Sequence, residues 1–124
     1  MEFEYGPLVL KSHDRLRMVD LLTDVFEFDV DTQSDLLTLG PWRLKIIETS
    51  STDPSEQSLV FEFNVFSQED LNEISSKFHF FLYRKNDLSS PSEKIISSQT
   101  DLFKTISVVD LDGREWQFKL KIKV

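Results

Sequence analysis

With 124 residues, 14.5 kDa and 40% hydrophobic composition, the chain carries enough apolar material for one domain or for two small modules sharing a core. It has no cysteine, which excludes zinc–thiolate sites, iron–sulfur clusters, thiol nucleophiles and a disulfide scaffold. Fourteen Lys and Arg against 22 Asp and Glu leave a formal charge of −8, a field that repels nucleic-acid backbones and anionic membranes.

The N-terminal Met-Glu-Phe-Glu-Tyr lacks the basic, then apolar character of a leader, and no run approaches the roughly 18 apolar residues of a membrane span. A cytoplasmic protein with no nucleic-acid or membrane partner is expected. Beyond solubility, the acidic surface suits a cationic ligand or partner.

The apolar Leu8–Leu10 run stops at Lys11-Ser12-His13-Asp14, where Ser12 or Asp14 is placed to cap a helix. Met18, Leu21, Leu22 and Val25 then fall at helical spacing, with Arg15, Arg17, Asp20 and Asp24 on the other side. Phe26–Val30 alternates with period two, Leu36–Leu39 reads as a short strand, and Gly40-Pro41 turns into a strand from Trp42 to Ile47. The polar stretch from 50 to 57 has no periodicity and reads as a linker. Beyond it, Leu59, Phe61, Phe63 and Val65 give a strand with one apolar face. Ser67-Gln-Glu-Asp70 predicts the start of a short helix carrying Leu71 and Ile74, and Phe78–Tyr83 reads as a strand. Ser90-Pro-Ser-Glu93 reads as a second helix start of a turn or two. Strands from Leu102 to Asp110 and from Glu115 to Lys123 close the chain, joined by Asp110-Leu-Asp-Gly113.

The two parts repeat one order. Leu8-Val9-Leu10 corresponds to Leu59-Val60-Phe61, and Phe26-Glu-Phe28 to Phe78-His-Phe80, at a nearly constant offset. Two copies of a βαβββ unit explain this, because one half-sheet with one helix leaves a face bare.

Three passages carry a family resemblance: Leu8-Val-Leu-Lys-Ser-His-Asp14 with Asp24-Val-Phe-Glu-Phe28, Ser58-Leu-Val-Phe-Glu-Phe63, and Val109-Asp-Leu-Asp-Gly-Arg-Glu-Trp-Gln-Phe118. In this order they resemble the vicinal oxygen chelate superfamily of glyoxalase I, extradiol dioxygenases and bleomycin-resistance proteins. The last is similar to that family's Asp-Pro-Asp-Gly turn, with Leu111 in place of proline. The resemblance implies an α+β fold of two paired βαβββ modules, Glu2–Thr49 and Ser58–Val124, in a single domain. Their sheets would form an incomplete barrel with both helices outside, in a homodimer. A ferredoxin-like sandwich is the alternative.

Metal-dependent members hold a divalent cation on the concave face through four side chains, usually His or Gln, Glu, His or Gln, and Glu. The matching positions are Pro7, Lys45, Ser58 and Gln117, with Lys45 chosen by strand parity between the helix-facing Leu44 and Ile46. This set suits no divalent ion, so no metal and no cofactor is expected. A one-residue register error would bring Glu48 or Glu115 into play.

Parity along the other strands places Ser58, Val60, Glu62, His79, Phe81, Tyr83, Glu115 and Gln117 with Lys45 in one polar trough with two aromatics. The helix-facing core would include Phe61, Phe80 and Trp116. His13 reads as a solvated residue at a helix start, and His79 more simply as a solvated or satisfied side chain than as a base. No catalytic constellation and no phosphate-binding glycine loop is present. The expected function is metal-independent binding or sequestering of a small, cationic, amphipathic molecule at Lys45, Ser58, Glu62, His79, Phe81, Tyr83, Glu115 and Gln117, with no catalytic residue assigned. The alternatives are a divergent glyoxalase- or dioxygenase-like metalloenzyme and a non-catalytic protein-interaction domain.

Overall fold

The computed structural model describes residues 1–50, 59–85 and 94–122, and the chain folds as two units, 1–51 and 52–124. In the first unit, Asp14 ends the strand β1 (Leu8–Ser12) and starts the helix α1 (Arg15–Asp24) by accepting a hydrogen bond from the Arg17 N–H at 3.0 Å. The buried stripe Met18, Leu21 and Leu22 lies on the sheet made by β1, β2 (Asp29–Asp31), β3 (Leu36–Leu39) and β4 (Trp42–Glu48). The strand order is β1-β4-β3-β2, with β1 parallel to β4 and the other pairs antiparallel. Leu10, Leu37, Leu44 and Ile46 form the sheet's contribution to the core, each side chain contributing roughly 1.5–3 kcal/mol by burial.

Phe26 and Phe28 are also buried, but they precede β2 instead of opening it. Glu27 between them has φ +63°, a bend that the period-two pattern of Phe26–Val30 does not announce. Glu48 confirms the parity of β4: its carboxylate reaches the Arg15 N–H at the start of α1, at 3.2 Å. It therefore faces the helix side, like Leu44 and Ile46.

The second unit repeats the order β5 (Val60–Val65), α2 (Gln68–Arg84), β6 (Lys94–Gln99), β7 (Phe103–Val109) and β8 (Glu115–Lys121). Its sheet is ordered β5-β8-β7-β6, with β5 parallel to β8. The expected paired βαβββ topology is thus present twice, as two four-stranded mixed sheets with a helix each.

The second helix is the principal correction. It runs unbroken for 17 residues through Phe78–Tyr83, the stretch expected to be a strand. Ser67 accepts from the Asp70 N–H at 3.1 Å, Asp70 reaches back to the Phe66 N–H at 3.2 Å, and Glu73 pairs with Lys77 one turn on. Phe78 and Phe81, three apart, are buried, whereas Phe80 is 62% exposed and leaves the expected core. The strand assigned to Phe78–Tyr83 is supplied by β6 instead, which includes Ser97-Ser98-Gln99. Consequently Phe78-His-Phe80 does not correspond to Phe26-Glu-Phe28, although Leu59-Val60-Phe61 does lead into β5 as Leu8-Val9-Leu10 opens β1. The expected helix start at 90–93 lies outside the described residues. Among the described residues no helix is long and apolar enough to cross a membrane.

Candidate functional site

A sheet with one face under a helix offers its other face for chemistry. In the second unit the register fixes the residues of that other face row by row. Val60, Glu115 and Val109 form one row, Glu62, Gln117, Ser107 and Ile96 the next, and Asn64, Lys119, Thr105 and Ser98 the third. The residues between them, Phe61, Trp116 and Val108, are buried against α2, and the Phe61 and Trp116 rings stack at 4.3 Å. The predicted alternation of β5 and β8 is therefore present.

Three of the expected site residues, Glu62, Glu115 and Gln117, are neighbours on this face. Gln117 Nε2 donates to Glu115 Oε1 at 3.0 Å, and Glu62 is ion-paired with Lys119 at 2.7 Å. The Lys119 ammonium also lies 5.6 Å from the centre of the Phe103 ring. Lys119 thus offsets Glu62, one of the two carboxylates expected to select a cation, while Glu115 stands beside a neutral amide. Ser107 is buried at the middle of the face. Lys119, Phe103 and Ser107 were missing from the expected set. Alternation along β8 from Glu115 and Gln117 would have added Lys119, and alternation along β7 would have added Phe103 and Ser107.

The three α2 residues leave the site. Phe81 is 1% exposed and packs 6.5 Å from Phe78, so it belongs to the core. Tyr83 is 72% exposed on the outer side of the helix. His79 is exposed and its Nδ1 lies 2.8 Å from the Ser75 carbonyl one turn back, an ordinary helix-surface contact. A helix places residues two apart on opposite sides, so the aromatic wall expected from Phe81 and Tyr83 does not exist. Ser58 lies outside the described residues. Lys45 is in the first unit, exposed on the face of β4 turned away from α1 and opposite Val9 of β1.

The turn that delivers Glu115 and Gln117 is built on buried charge. Asp110 accepts from the Asp112 and Arg114 N–H groups at 2.9 and 3.0 Å, from Arg114 Nε at 3.2 Å and from Trp116 Nε1 at 2.9 Å. Arg114 also donates to Asp112 at 3.2 Å, and all three charged residues are buried. Gly113 closes the turn at φ +88°, where a side chain is disfavoured. Burial pushes the Asp110 carboxyl above its ordinary value, against the Arg114 guanidinium and the Trp116 N–H, which favour the charged form. The cluster fixes where β8 begins and hence the position of Glu115.

The positions at which the resemblance expects metal ligands do not fit a divalent cation. Pro7 has no side-chain donor and Lys45 brings a positive charge, while Gln117 is one neutral amide engaged with Glu115. Among the described residues, no three His, Asp or Glu side chains are grouped to hold an ion.

No family model and no curated protein matches the sequence. Solved structures do match. A fosfomycin resistance protein, FosX, from Mesorhizobium loti is 12% identical, with a TM-score of 0.70 over 97% of this chain and 93% of its own. A glyoxalase/bleomycin resistance protein/dioxygenase family enzyme from Burkholderia phytofirmans is 11% identical, with a TM-score of 0.70 over 93% of this chain and 96% of its own. A glyoxylase/bleomycin resistance protein/dioxygenase domain from Frankia is 13% identical, with a TM-score of 0.65 over 99% and 95%. The chain has the vicinal oxygen chelate fold.

Proposed function

We propose that this chain of vicinal oxygen chelate fold is a metal-independent small-molecule binding or sequestering protein. The observation that carries the reading is the polar face of the second sheet, where Glu115 and Gln117 stand half-buried beside Ser107. A binding face of this kind orients a ligand by a few placed polar groups. Glu115 supplies the charge that favours a cationic centre, Gln117 a neutral hydrogen-bonding group, and Phe103 an aromatic surface beside Lys119. The reading includes one domain formed by both modules, a homodimer and a cytoplasmic location. Fosfomycin resistance and bleomycin resistance are named in structural neighbours, and sequestration asks of this chain only that it bind a molecule.

The test is a thermal-shift screen of small aromatic and alkyl ammonium compounds against the full chain with chelator present. The expected result is a saturable rise in melting temperature that Glu115→Gln abolishes. A hit that the variant retains, or a screen in which stabilisation appears only after a divalent metal is added, refutes the reading. A second reading, a protein-interaction domain, draws on Phe80 and Tyr83, which expose aromatic surface on the outside of α2. It predicts that Phe80→Ala and Tyr83→Ala alter self-association or partner capture while leaving small-molecule binding intact.

A further inference from the structure

The strand order puts β6 at the edge of the second sheet. Ile106 stands opposite Phe118 and Ser97, and Lys104 opposite Leu120 and Gln99, so these residues of β6 and β7 share the face under α2. On the helix, Gln68, Leu71, Asn72 and Ser75 recur three and four apart and make one stripe. Between that stripe and the edge strand lies a cleft of about 480 Å³, within the range of small-molecule sites. Ser75 and Ser97, one on each wall, fill little of it. Leu71 and Ile106 are buried and give it an apolar floor.

The chain carries 22 Asp and Glu, yet none of them lines this cleft. Its one charged side chain is Lys104, whose Nζ donates to Gln68 Oε1 at 3.2 Å and, among the described residues, to no carboxylate. An ammonium only donates, so it settles which way the neighbouring amide points. Gln68 accepts through its oxygen and turns its Nε2 to Asn72 Oδ1, at 3.0 Å. Asn72 Nδ2 and the remaining N–H groups of Lys104 have no acceptor among the described residues. The row Lys104–Gln68–Asn72 therefore offers donors at both ends and a positive charge at one, in a chain whose overall charge is −8.

We infer that the cleft between α2 and β6 binds a small aliphatic carboxylate, with its charged group on the Lys104 ammonium and its hydrocarbon chain over Leu71 and Ile106. An ionised carboxylate only accepts hydrogen bonds, which matches a wall whose free groups donate, and the Asn72 amide supplies a further donor. A neutral polar ligand would leave the ammonium facing an uncharged group, and a cationic one would meet it with like charge. The inference goes beyond the proposed function, because it concerns the opposite face of the second sheet and a ligand of opposite charge, and either stands if the other fails.

The experiment is a ¹H–¹⁵N NMR titration of the full chain with hexanoate, acetate and hexanamide, at neutral pH and constant ionic strength. Hexanoate should give saturable shifts centred on the amides of 68–75, 97–99 and 104–106, and acetate should bind more than about tenfold less tightly because it leaves the floor uncovered. Hexanamide, of the same length but uncharged, should also be weaker by about tenfold. Lys104→Gln should weaken hexanoate about tenfold, the scale of one charge-assisted hydrogen bond, and Asn72→Asp as much, by adding a carboxylate that competes for Lys104. Lys121→Gln, an equal charge change at an exposed position on the opposite face of the same sheet, should weaken it less than about twofold. Shifts that stay linear with concentration or are scattered over the chain overturn the inference. Equal losses from Lys104→Gln and Lys121→Gln overturn it too, since they reduce the effect to net charge, as does hexanamide binding as tightly as hexanoate.

Discussion

Truncating Phe81 and Tyr83 separately distinguishes the helix from the strand in a way that neither substitution does alone. In a strand, residues two apart share a face, and both losses would resemble each other. In the 17-residue helix they are about 200° apart around the axis, with Phe81 at 1% and Tyr83 at 72% exposure. Phe81→Ala removes a ring packed on Phe78 and leaves a cavity, which costs about 3–5 kcal/mol. Tyr83→Ala removes a ring already in water and should stay within about 0.5 kcal/mol. With a urea slope of roughly 1–3 kcal/mol per molar, a loss of 3 kcal/mol lowers the unfolding midpoint by roughly 1–3 M. Urea titrations of the two variants, with Phe78→Ala and Phe80→Ala as second members of each class, should give large, small, large and small shifts for Phe78, Phe80, Phe81 and Tyr83. Equal shifts for Phe81→Ala and Tyr83→Ala would refute the helical assignment and return both rings to one face.

Asp110→Ala strips four hydrogen bonds from the turn before β8 and leaves the buried Arg114 with Asp112 as its carboxylate, a loss of about 3–5 kcal/mol by chemical denaturation. Trp116→Phe keeps most of the ring stacking and removes only the Nε1 bond, so it should cost about 1–2 kcal/mol in the same assay. Gly113→Ala at φ +88° should cost about 1–2 kcal/mol, and a neutral effect would show that the turn adopts another conformation in solution. The purified chain should contain no stoichiometric zinc, nickel, iron or manganese by elemental analysis, and chelator should leave its melting temperature unchanged. One tightly held ion per chain would restore the enzyme hypothesis.

Strand parity was legible where one sheet face is buried and the other is not, because a one-residue slip would carry every apolar side chain into water. Leu44 and Ile46 in β4, Phe61 in β5 and Trp116 and Phe118 in β8 all lie where alternation put them. The stretch after Leu71 was not legible by the same rule. Phe78, Phe80 and Leu82 alternate as in a strand, and aromatic residues favour strands, yet Leu71, Ile74, Phe78 and Phe81 recur at three and four. That longer period wins because Ser67, Glu69 and Asp70 favour a helix start, Arg84 stands in its last turn, and only the helix hides Phe78 and Phe81 together. The β6 strand was obscured for the opposite reason: Ser97-Ser98-Gln99 has no apolar alternation, and it owes its strand state to pairing with Ile106, Thr105 and Lys104 of β7. Most of the site's error follows from α2 alone, since three of its eight residues lay on the misread strand.

The correction changes what kind of affinity the second sheet can supply. Without Phe81 and Tyr83, Phe103 is the one aromatic residue in the strands of that face among the described residues, and Lys119 lies over its ring. A stacking wall would have made binding insensitive to salt, because buried apolar area and ring overlap carry no net charge. What remains is Glu115 with Gln117, a carboxylate and an amide at the mouth of the turn, next to the internally compensated Glu62–Lys119 pair. Attraction between exposed or half-exposed charges is screened over about 10 Å at 0.1 M salt. Binding of a cationic ligand here should therefore weaken progressively between low salt and 0.5 M sodium chloride, and Glu115→Gln should remove both the affinity and its salt dependence. Affinity that survives high salt in the native chain would mean that apolar burial dominates, and would place the ligand on a surface other than this one.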